Sequence, residues 1–336
     1  MKSLKSYLFV IGCILVSLCS HAWAADLPFG QTQTGTIGSA AQTNSYTFSA
    51  NANDLADFTM AATSGNLSPK IQLYSSAGKL LGSANPGNCY GSTIEMNTVT
   101  LPASGTYTVL VSDCSDTNTG NYVIYAQRTN NPSGAANLPF GQTETGAIGS
   151  AAQSNTYTFS ANANDVVDFT MTATSGSLSP KIRLYNPGGT LLNSANPGNC
   201  YGSTIEMNTV TLPASGAYTV LLGDCSDTNA GSYEIYAQRT ANPSGAANLV
   251  FGQTQTGTIS LATQSNSYTF SANANDLVDF TMVATSGSLS PKIRLYNPAG
   301  TLLSSANPGN CYGSTIEMNT VTLPASGTYT VLLGDC

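Results

Sequence analysis

The chain repeats itself every 111 residues. Leu27-Pro28-Phe29-Gly30-Gln31-Thr32 returns as Leu138-Pro139-Phe140-Gly141-Gln142-Thr143 and again as Leu249-Val250-Phe251-Gly252-Gln253-Thr254. The stretch SANPGNCYGSTIEMNTVTLPASG, residues 83–105, recurs letter for letter at 194–216 and 305–327. About four residues in five agree between the first two copies, well beyond chance self-similarity. This period is far too long for a solenoid unit and is the size of a self-contained domain. The 336 residues are therefore read as a leader over 1–24 and three consecutive domains over 25–136, 137–247 and 248–336.

The leader reads as an export signal. Lys2 and Lys5 make a basic start, Leu8 to Leu18 an apolar stretch, and Ala22-Trp23-Ala24 an A-x-A cleavage pattern. Val10-Ile11-Gly12-Cys13 resembles a bacterial lipobox, whose alternative outcome is a lipid anchor at Cys13. The apolar run is too short to span a bilayer, and nothing later resembles a membrane helix. A secreted or cell-surface protein is expected. Cleavage after Ala24 removes the one histidine, His21, and the one tryptophan, Trp23, together with Cys13 and Cys19. The mature chain then carries eight Lys and Arg against 17 Asp and Glu, a net charge of −9. Nucleic acid and anionic membranes need clustered Lys and Arg, so neither is expected as a partner.

Six cysteines remain, and the 111-residue shift maps Cys89 to Cys200 to Cys311, and Cys114 to Cys225 to Cys336. One closed pair per domain needs no contact between domains: Cys89–Cys114, Cys200–Cys225 and Cys311–Cys336. An oxidising compartment permits this. Closing such a loop stabilises each domain by roughly 3 kcal/mol on the chain-entropy model. Zinc would want C-x-x-C spacing or histidines, and neither exists here.

No window keeps an apolar 3.6-residue period. Thr, Tyr, Val and Ile alternate instead with small polar residues between Gly, Pro, Asn and Ser clusters. In the first copy strands are predicted near Gln31–Ile37, Ser45–Ser49, Leu55–Thr63, Lys70–Ser75, Lys79–Ser83, Thr93–Leu101, Thr106–Ser112 and Tyr122–Gln127. Short strands at this density predict an all-β chain of three tandem, jelly-roll-like β-sandwiches. The third copy stops at Cys336, where the second continues with SDTNAGSYEIYAQRT. The third sandwich is thus expected to lack its last strand, which suits a fragment of a longer protein, with a partner-supplied strand as the alternative.

Differences between copies assign faces. Val123 becomes Glu234, which predicts a wet face for Val123 and Tyr125 and a buried one for Tyr122 and Ile124. Gln72 becomes Arg183 and Arg294, which sets Ile71 and Leu73 inward and Tyr74 outward. The same alternation makes core pairs of Tyr46 with Phe48, Phe58 with Met60, and Tyr107 with Val109.

Each copy resembles the bacterial pre-peptidase C-terminal domain, a β-sandwich found beside the catalytic domains of secreted peptidases. It is similar also to the collagen-binding domains of clostridial collagenases. The resemblance rests on Tyr46-Thr47-Phe48, the polar turn Ala50-Asn51-Ala52-Asn53-Asp54, and Asp57-Phe58-Thr59-Met60. It continues through Ser68-Pro69-Lys70-Ile71-Gln72-Leu73-Tyr74 and Gly78, then Leu101 to Val109 and Gly120 to Ile124. The cysteine pair is not part of that general pattern and reads as a local addition. Related domains bind calcium through residues near an N-terminal linker, but the segment before Leu138 offers no matching acids.

For function, the resemblance and the residues together imply a secreted, non-catalytic binding or accessory repeat protein engaging extracellular protein or polysaccharide. A structural spacer of a larger surface protein, and a fragment of a secreted peptidase, are the alternatives. With no histidine in the mature chain and its thiols paired, Ser–His–Asp and Cys–His catalysis are not expected. No cofactor is expected, with calcium the one candidate: Asp113, Asp116 and Asn118, repeated as Asp224, Asp227 and Asn229, place oxygen ligands in a disulfide-clamped loop. The same residues could equally hydrogen-bond turn backbone. Tyr74, Tyr125, Tyr185, Tyr236 and Tyr296 are candidates for an exposed aromatic strip that holds an extended polymer, although Tyr is also ordinary strand composition. Tyr90 is expected to pack on its neighbouring disulfide. The TNNPSGAAN and TANPSGAAN segments read as short linkers that let neighbouring domains reorient.

Overall fold

A computed structural model describes residues 24–336. The leader expected over 1–24, with Cys13, lies outside the described residues except for Ala24.

The first repeat comprises β1 (Ala25–Asp26), β2 (Thr32–Ile37), β3 (Thr43–Ala50), β4 (Asp54–Ala62), β5 (Pro69–Tyr74), β6 (Leu80–Ala84), β7 (Thr93–Leu101), β8 (Gly105–Asp113) and β9 (Gly120–Arg128). They form two sheets, ordered β1-β3-β8-β5-β6 and β2-β9-β4-β7. Every pairing is antiparallel except that of β1, a two-residue strand the sequence pattern does not reveal, which runs parallel to β3 with Ala25 opposite Tyr46. The eight expected strands are all present, their ends shifted by no more than two residues.

Period-two alternation builds the core between the sheets. Tyr46 and Phe48 from β3, Ile71 and Leu73 from β5, and Tyr107, Val109 and Val111 from β8 meet Phe58 and Met60 from β4 and Tyr122, Ile124 and Ala126 from β9. Phe48 sits at the centre: its ring stacks on Tyr107 at 5.5 Å and lies 5.6 Å from Phe58 and 5.0 Å from Phe29. Each such ring contributes roughly 1.5–3 kcal/mol by leaving water. The Tyr46 and Tyr122 hydroxyls hydrogen-bond at 2.8 Å across the two sheets, and Asn44 Nδ2 donates to Tyr122 at 2.8 Å. These buried hydroxyls thereby satisfy each other. Cys89, in the β6–β7 loop, is bonded to Cys114, just past β8.

The second repeat reproduces this plan between Ala136–Asn137 and Gly231–Arg239, with its own core and a Cys200–Cys225 bond. The third keeps its five-stranded sheet and the Cys311–Cys336 bond. Its second sheet, however, has only two strands, Leu277–Val283 and Thr315–Thr322. The sequence led to an expectation of one missing strand; two are absent from the ladder. Topology explains the second loss. In the first repeat β2 pairs only with β9, so residues 254–259, which match β2 in sequence, have no strand to pair with among the described residues. The uncovered face leaves Leu277, Val283 and Phe251 exposed. Among the described residues there is no α-helix, and no helix is long and apolar enough to cross a membrane.

Candidate functional site

β9 is the strand that departs most from a two-layer sandwich. Tyr122, Ile124 and Ala126 point into the core, yet Val123, Tyr125 and Gln127, on the opposite face, are buried too. What covers them is the next repeat. Val123, Tyr125 and Ala61 form an apolar cluster with Ala152 of the second repeat, flanked by Ala151. Gln127 Nε2 donates to Thr156 Oγ1 at 2.9 Å, and Thr129 Oγ1 donates to the Gly189 carbonyl at 2.7 Å.

The rest of this junction is ionic and starts from a bulge in β7 opposite β4. The β4–β7 ladder slips register between Ala56 and Phe58, where Asn97 and Thr98 of β7 together face the single residue Asp57 of β4. Thr98 has φ 58°, an unfavourable value for a β-branched residue, and its N–H donates to Asp57 Oδ1 at 2.6 Å. Alternation along β4, with Ala56 and Phe58 in the core, sets the Asp57 carboxylate on the outward face, where it is only 2 % exposed. There it accepts the Tyr185 hydroxyl of the second repeat and lies 3.5 Å from Arg183.

Arg183, 4 % exposed, also reaches Glu95 at 3.1 Å and donates to Asn97 Oδ1 at 2.9 Å, both on β7. Lys181 bridges Glu95 at 2.9 Å and Asp227 at 2.7 Å. Strand Pro180–Tyr185 thus turns Lys181, Arg183 and Tyr185 toward the preceding repeat while Ile182 and Leu184 enter its own core.

Burial dominates the titration of this cluster. It pushes the Asp57 carboxyl up despite Arg183, Tyr185 and Thr98, and the Asp227 carboxyl up to about 6 despite Lys181. Glu95 behaves oppositely: burial is outweighed by Arg183 and Lys181, which hold it down at about 2.

The second junction repeats the design. Tyr296 donates to Asp168, Arg294 lies 3.4 Å from Asp168 and donates to Asn208 at 3.0 Å, Lys292 bridges Glu206 at 2.7 Å, and Thr240 Oγ1 donates to the Gly300 carbonyl at 2.6 Å. One patch differs. Ala61, Val123 and Ala152 become Thr172, Glu234 and Thr263, and the Thr263 N–H donates to Glu234 Oε2 at 3.2 Å.

These contacts correct the expected aromatic strip. Tyr125, Tyr185, Tyr236 and Tyr296 are buried in the junctions; only Tyr74, in the first repeat, stays half-buried. The substitution of Val123 by Glu234 marks a junction rather than a wet face. Gln72 stands where Arg183 and Arg294 stand, on a repeat whose corresponding face meets no other repeat among the described residues. The linker segments are pinned rather than loose: the Thr129 N–H donates to the Leu55 carbonyl at 2.8 Å, and the Gln127 side chain holds both the N–H and the carbonyl of Ser133. Sequence reasoning missed Asp57, Glu95, Lys181 and Arg183. The available signal was an arginine recurring as Arg183 and Arg294 and acids recurring as Asp57 and Glu95 in each copy, with few other charges anywhere in the chain.

The calcium candidates serve a different purpose. Asp113 is buried, and both its oxygens accept hydrogen bonds: Ser68 N at 2.9 Å on Oδ1, and Ser115 Oγ at 2.6 Å, Asn118 N at 3.0 Å and Thr117 N at 3.1 Å on Oδ2. Burial opposes ionisation, but these donors hold the carboxyl well below the usual range. Asp224 has the equivalent donors, and Asn229 Nδ2, like Asn118 Nδ2, points at its own aspartate. Asp116 takes a left-handed turn position, and Asp227 is turned to Lys181. A shell of N–H and O–H donors has the wrong polarity for a cation. Among the described residues no group of three or more His, Cys, Asp or Glu is placed to hold a metal ion.

Tyr90 is also corrected. Rather than covering the disulfide, it stands 85 % exposed, as do Tyr201 at 85 % and Tyr312 at 88 %.

Three stretches, residues 42–113, 153–224 and 264–334, match the bacterial pre-peptidase C-terminal domain. The chain belongs to this family. In the first repeat the matched pre-peptidase C-terminal stretch runs from β3 to β8, so β9 and the second cysteine of the pair fall outside it. Among solved structures, the pre-peptidase C-terminal domain of a Bacillus anthracis collagenase is similar at 18 % identity and a TM-score of 0.27, covering 32 % of this chain and 99 % of that one. A Eubacterium rectale protein described as secreted is similar at 13 % identity and a TM-score of 0.25, covering 64 % and 79 %. An anti-sigma factor domain-containing protein from Clostridium clariflavum is similar at 10 % identity and a TM-score of 0.17, covering 60 % and 82 %. No curated protein matches the chain.

Proposed function

We propose that this chain is an exported, non-catalytic accessory array of pre-peptidase C-terminal domains that engages extracellular protein or polysaccharide, with its repeats held in one fixed relative orientation. The observation that carries this reading is the junction built on Asp57, Arg183 and Tyr185 and rebuilt on Asp168, Arg294 and Tyr296. A buried ionic junction contributes little net stability but strongly penalises misalignment. Repeating its Asp–Arg–Tyr contacts sets each domain in the same pose on its predecessor. Copies of a weak site presented this way act together through their effective concentration. The same rigidity favours a second reading, a stiff spacer within a larger surface protein, because a spacer needs fixed orientation and no ligand.

The experiment is retention of the mature chain, residues 25–336, on immobilised matrix proteins, including collagen, and on insoluble polysaccharides. Specific retention on any of them supports the accessory-binding reading. Passage through all of them leaves the spacer.

A further inference from the structure

Beside each disulfide the chain turns through Pro-Gly-Asn-Cys-Tyr-Gly-Ser and leaves a tyrosine ring in water. In the second repeat Tyr201 lines a groove of about 410 Å³ together with Thr174, Ser175, Gly176, Ser177 and Ser203. No charged residue lines it. Thr174, Ser175, Ser177 and Ser203 are all exposed, while the Ser179 hydroxyl at its edge is buried with no hydrogen-bond partner among the described residues. The walls are held from several sides. The Cys200–Cys225 bond anchors the tyrosine loop, the Tyr201 N–H donates to Asn199 Oδ1 at 3.2 Å, the Ala173 N–H donates to the Ser203 carbonyl at 2.6 Å, and the Thr174 N–H to the Ser232 carbonyl at 2.8 Å.

A fixed, solvated aromatic ring facing a neutral wall of hydroxyls and bare backbone suits one ligand class best. Sugar rings offer a patch of C–H groups that packs on an aromatic face, and hydroxyls at their rims that exchange hydrogen bonds with Ser and Thr. A protein hot spot would want an apolar, desolvated pocket around the anchor, which this wall of small polar residues does not supply. An anionic polymer would want Lys or Arg, and the groove has neither. The geometry points to a neutral polysaccharide bound at Tyr201, with Tyr90 and Tyr312 presenting the equivalent ring in the other repeats. The locked junctions fix these rings relative to one another, so a polymer long enough to reach two of them gains avidity. This inference rests on the accessory-binding reading and names its ligand.

The test is co-sedimentation of the mature chain with insoluble cellulose, chitin and β-1,3-glucan, beside collagen and a matrix-protein panel. Retention is expected on at least one of the neutral polysaccharides and should persist in 0.5 M NaCl. The triple substitution Tyr90→Ala, Tyr201→Ala and Tyr312→Ala should weaken it at least tenfold, and the triple Tyr→Phe should keep most of it. Because the three rings are exposed, both triple variants should retain the parent Tm within about 2 °C. Retention on proteins alone, or undiminished polysaccharide binding by the folded alanine variant, overturns the groove and leaves the accessory reading standing. Retention on nothing overturns both.

Discussion

The Tyr185 hydroxyl donates to the Asp57 carboxylate from 128 residues away in the sequence, and the Tyr296 hydroxyl repeats this bond to Asp168 at the same separation. One side chain therefore serves two purposes. Asp57 pins the left-handed Thr98 within its own sheet and receives the following repeat through Tyr185 and Arg183. Removing it in Asp57→Ala leaves a buried guanidinium, a buried hydroxyl and a backbone N–H short of an acceptor. We expect a loss of roughly 3–5 kcal/mol in urea unfolding of the mature chain. Asp279 is the same residue in the same local sequence, but it is exposed and holds only Thr320. Asp279→Ala should cost about 1 kcal/mol. Equal losses at the two positions would mean that the junction adds nothing.

The sandwich was legible in the sequence because alternation and turn residues act locally: Ile71 and Leu73, or Tyr107 and Val109, announce their inward face within one strand. The junction was not legible, because a strand buried on both faces by two different repeats shows the same alternation as one that faces water. Polar junction residues such as Gln127 and Arg183 mimic solvation. Partner dependence hid the loss of the third repeat's β2 counterpart, since residues 254–259 carry strand-forming residues but need β9's counterpart to bond. The Tyr90 ring was misplaced because adjacency to a cysteine in sequence does not fix the direction in which a turn projects its side chain.

Gly189 accepts Thr129 through its carbonyl and sits at φ +84°, where an added Cβ would lie 2.8 Å from both Asn130 Cβ and Asn130 N. Gly78 is its counterpart in the first repeat, at φ +74° with nothing within 4 Å. Both substitutions to Ala incur the left-handed penalty of about 1–2 kcal/mol. Gly189→Ala must also push the two repeats apart, so it should lose at least about 1 kcal/mol more. Differential scanning calorimetry of the two variants measures the difference, and equal shifts would remove the steric argument.

Val123 and Glu234 occupy the same position in successive junctions, but their surroundings differ. Glu234 accepts the Thr263 N–H, whereas the corresponding Ala152 N–H is already donated to the Asp227 carbonyl at 2.9 Å. A carboxylate placed at Val123 would face Ala61, Ala151 and Ala152 without that donor. Val123→Glu should therefore destabilise the chain by roughly 2–4 kcal/mol at pH 7. Much of this should be recovered at pH 5, where a buried acid takes up a proton. Urea titrations at the two pH values check it; a loss that did not depend on pH would point to steric disruption instead.

The two acids around Lys181 give the first junction a stability optimum on the acid side of neutrality. Asp227 ordinarily titrates near 3.8 and is raised by burial to about 6, so between these values the folded chain binds protons that the unfolded chain does not. By linkage, stability must rise as pH falls from 7 through this window, and Asp57, also raised, acts in the same sense. Glu95 has the opposite sign. Held at about 2 against an ordinary 4.5, it contributes stability that is complete above the higher value and lost as pH approaches the lower. The two trends meet at about pH 4 to 5, where Tm of the mature chain should peak roughly a few degrees above its value at pH 7. Asp227→Asn should flatten the rise between pH 7 and 5 and leave the acid limb intact, because that limb belongs to Glu95 and the other carboxyls held low, Asp113, Asp224 and Glu206. A Tm that climbed steadily up to pH 7 in the parent chain would mean that the Lys181 bridge, and not burial, governs Asp227.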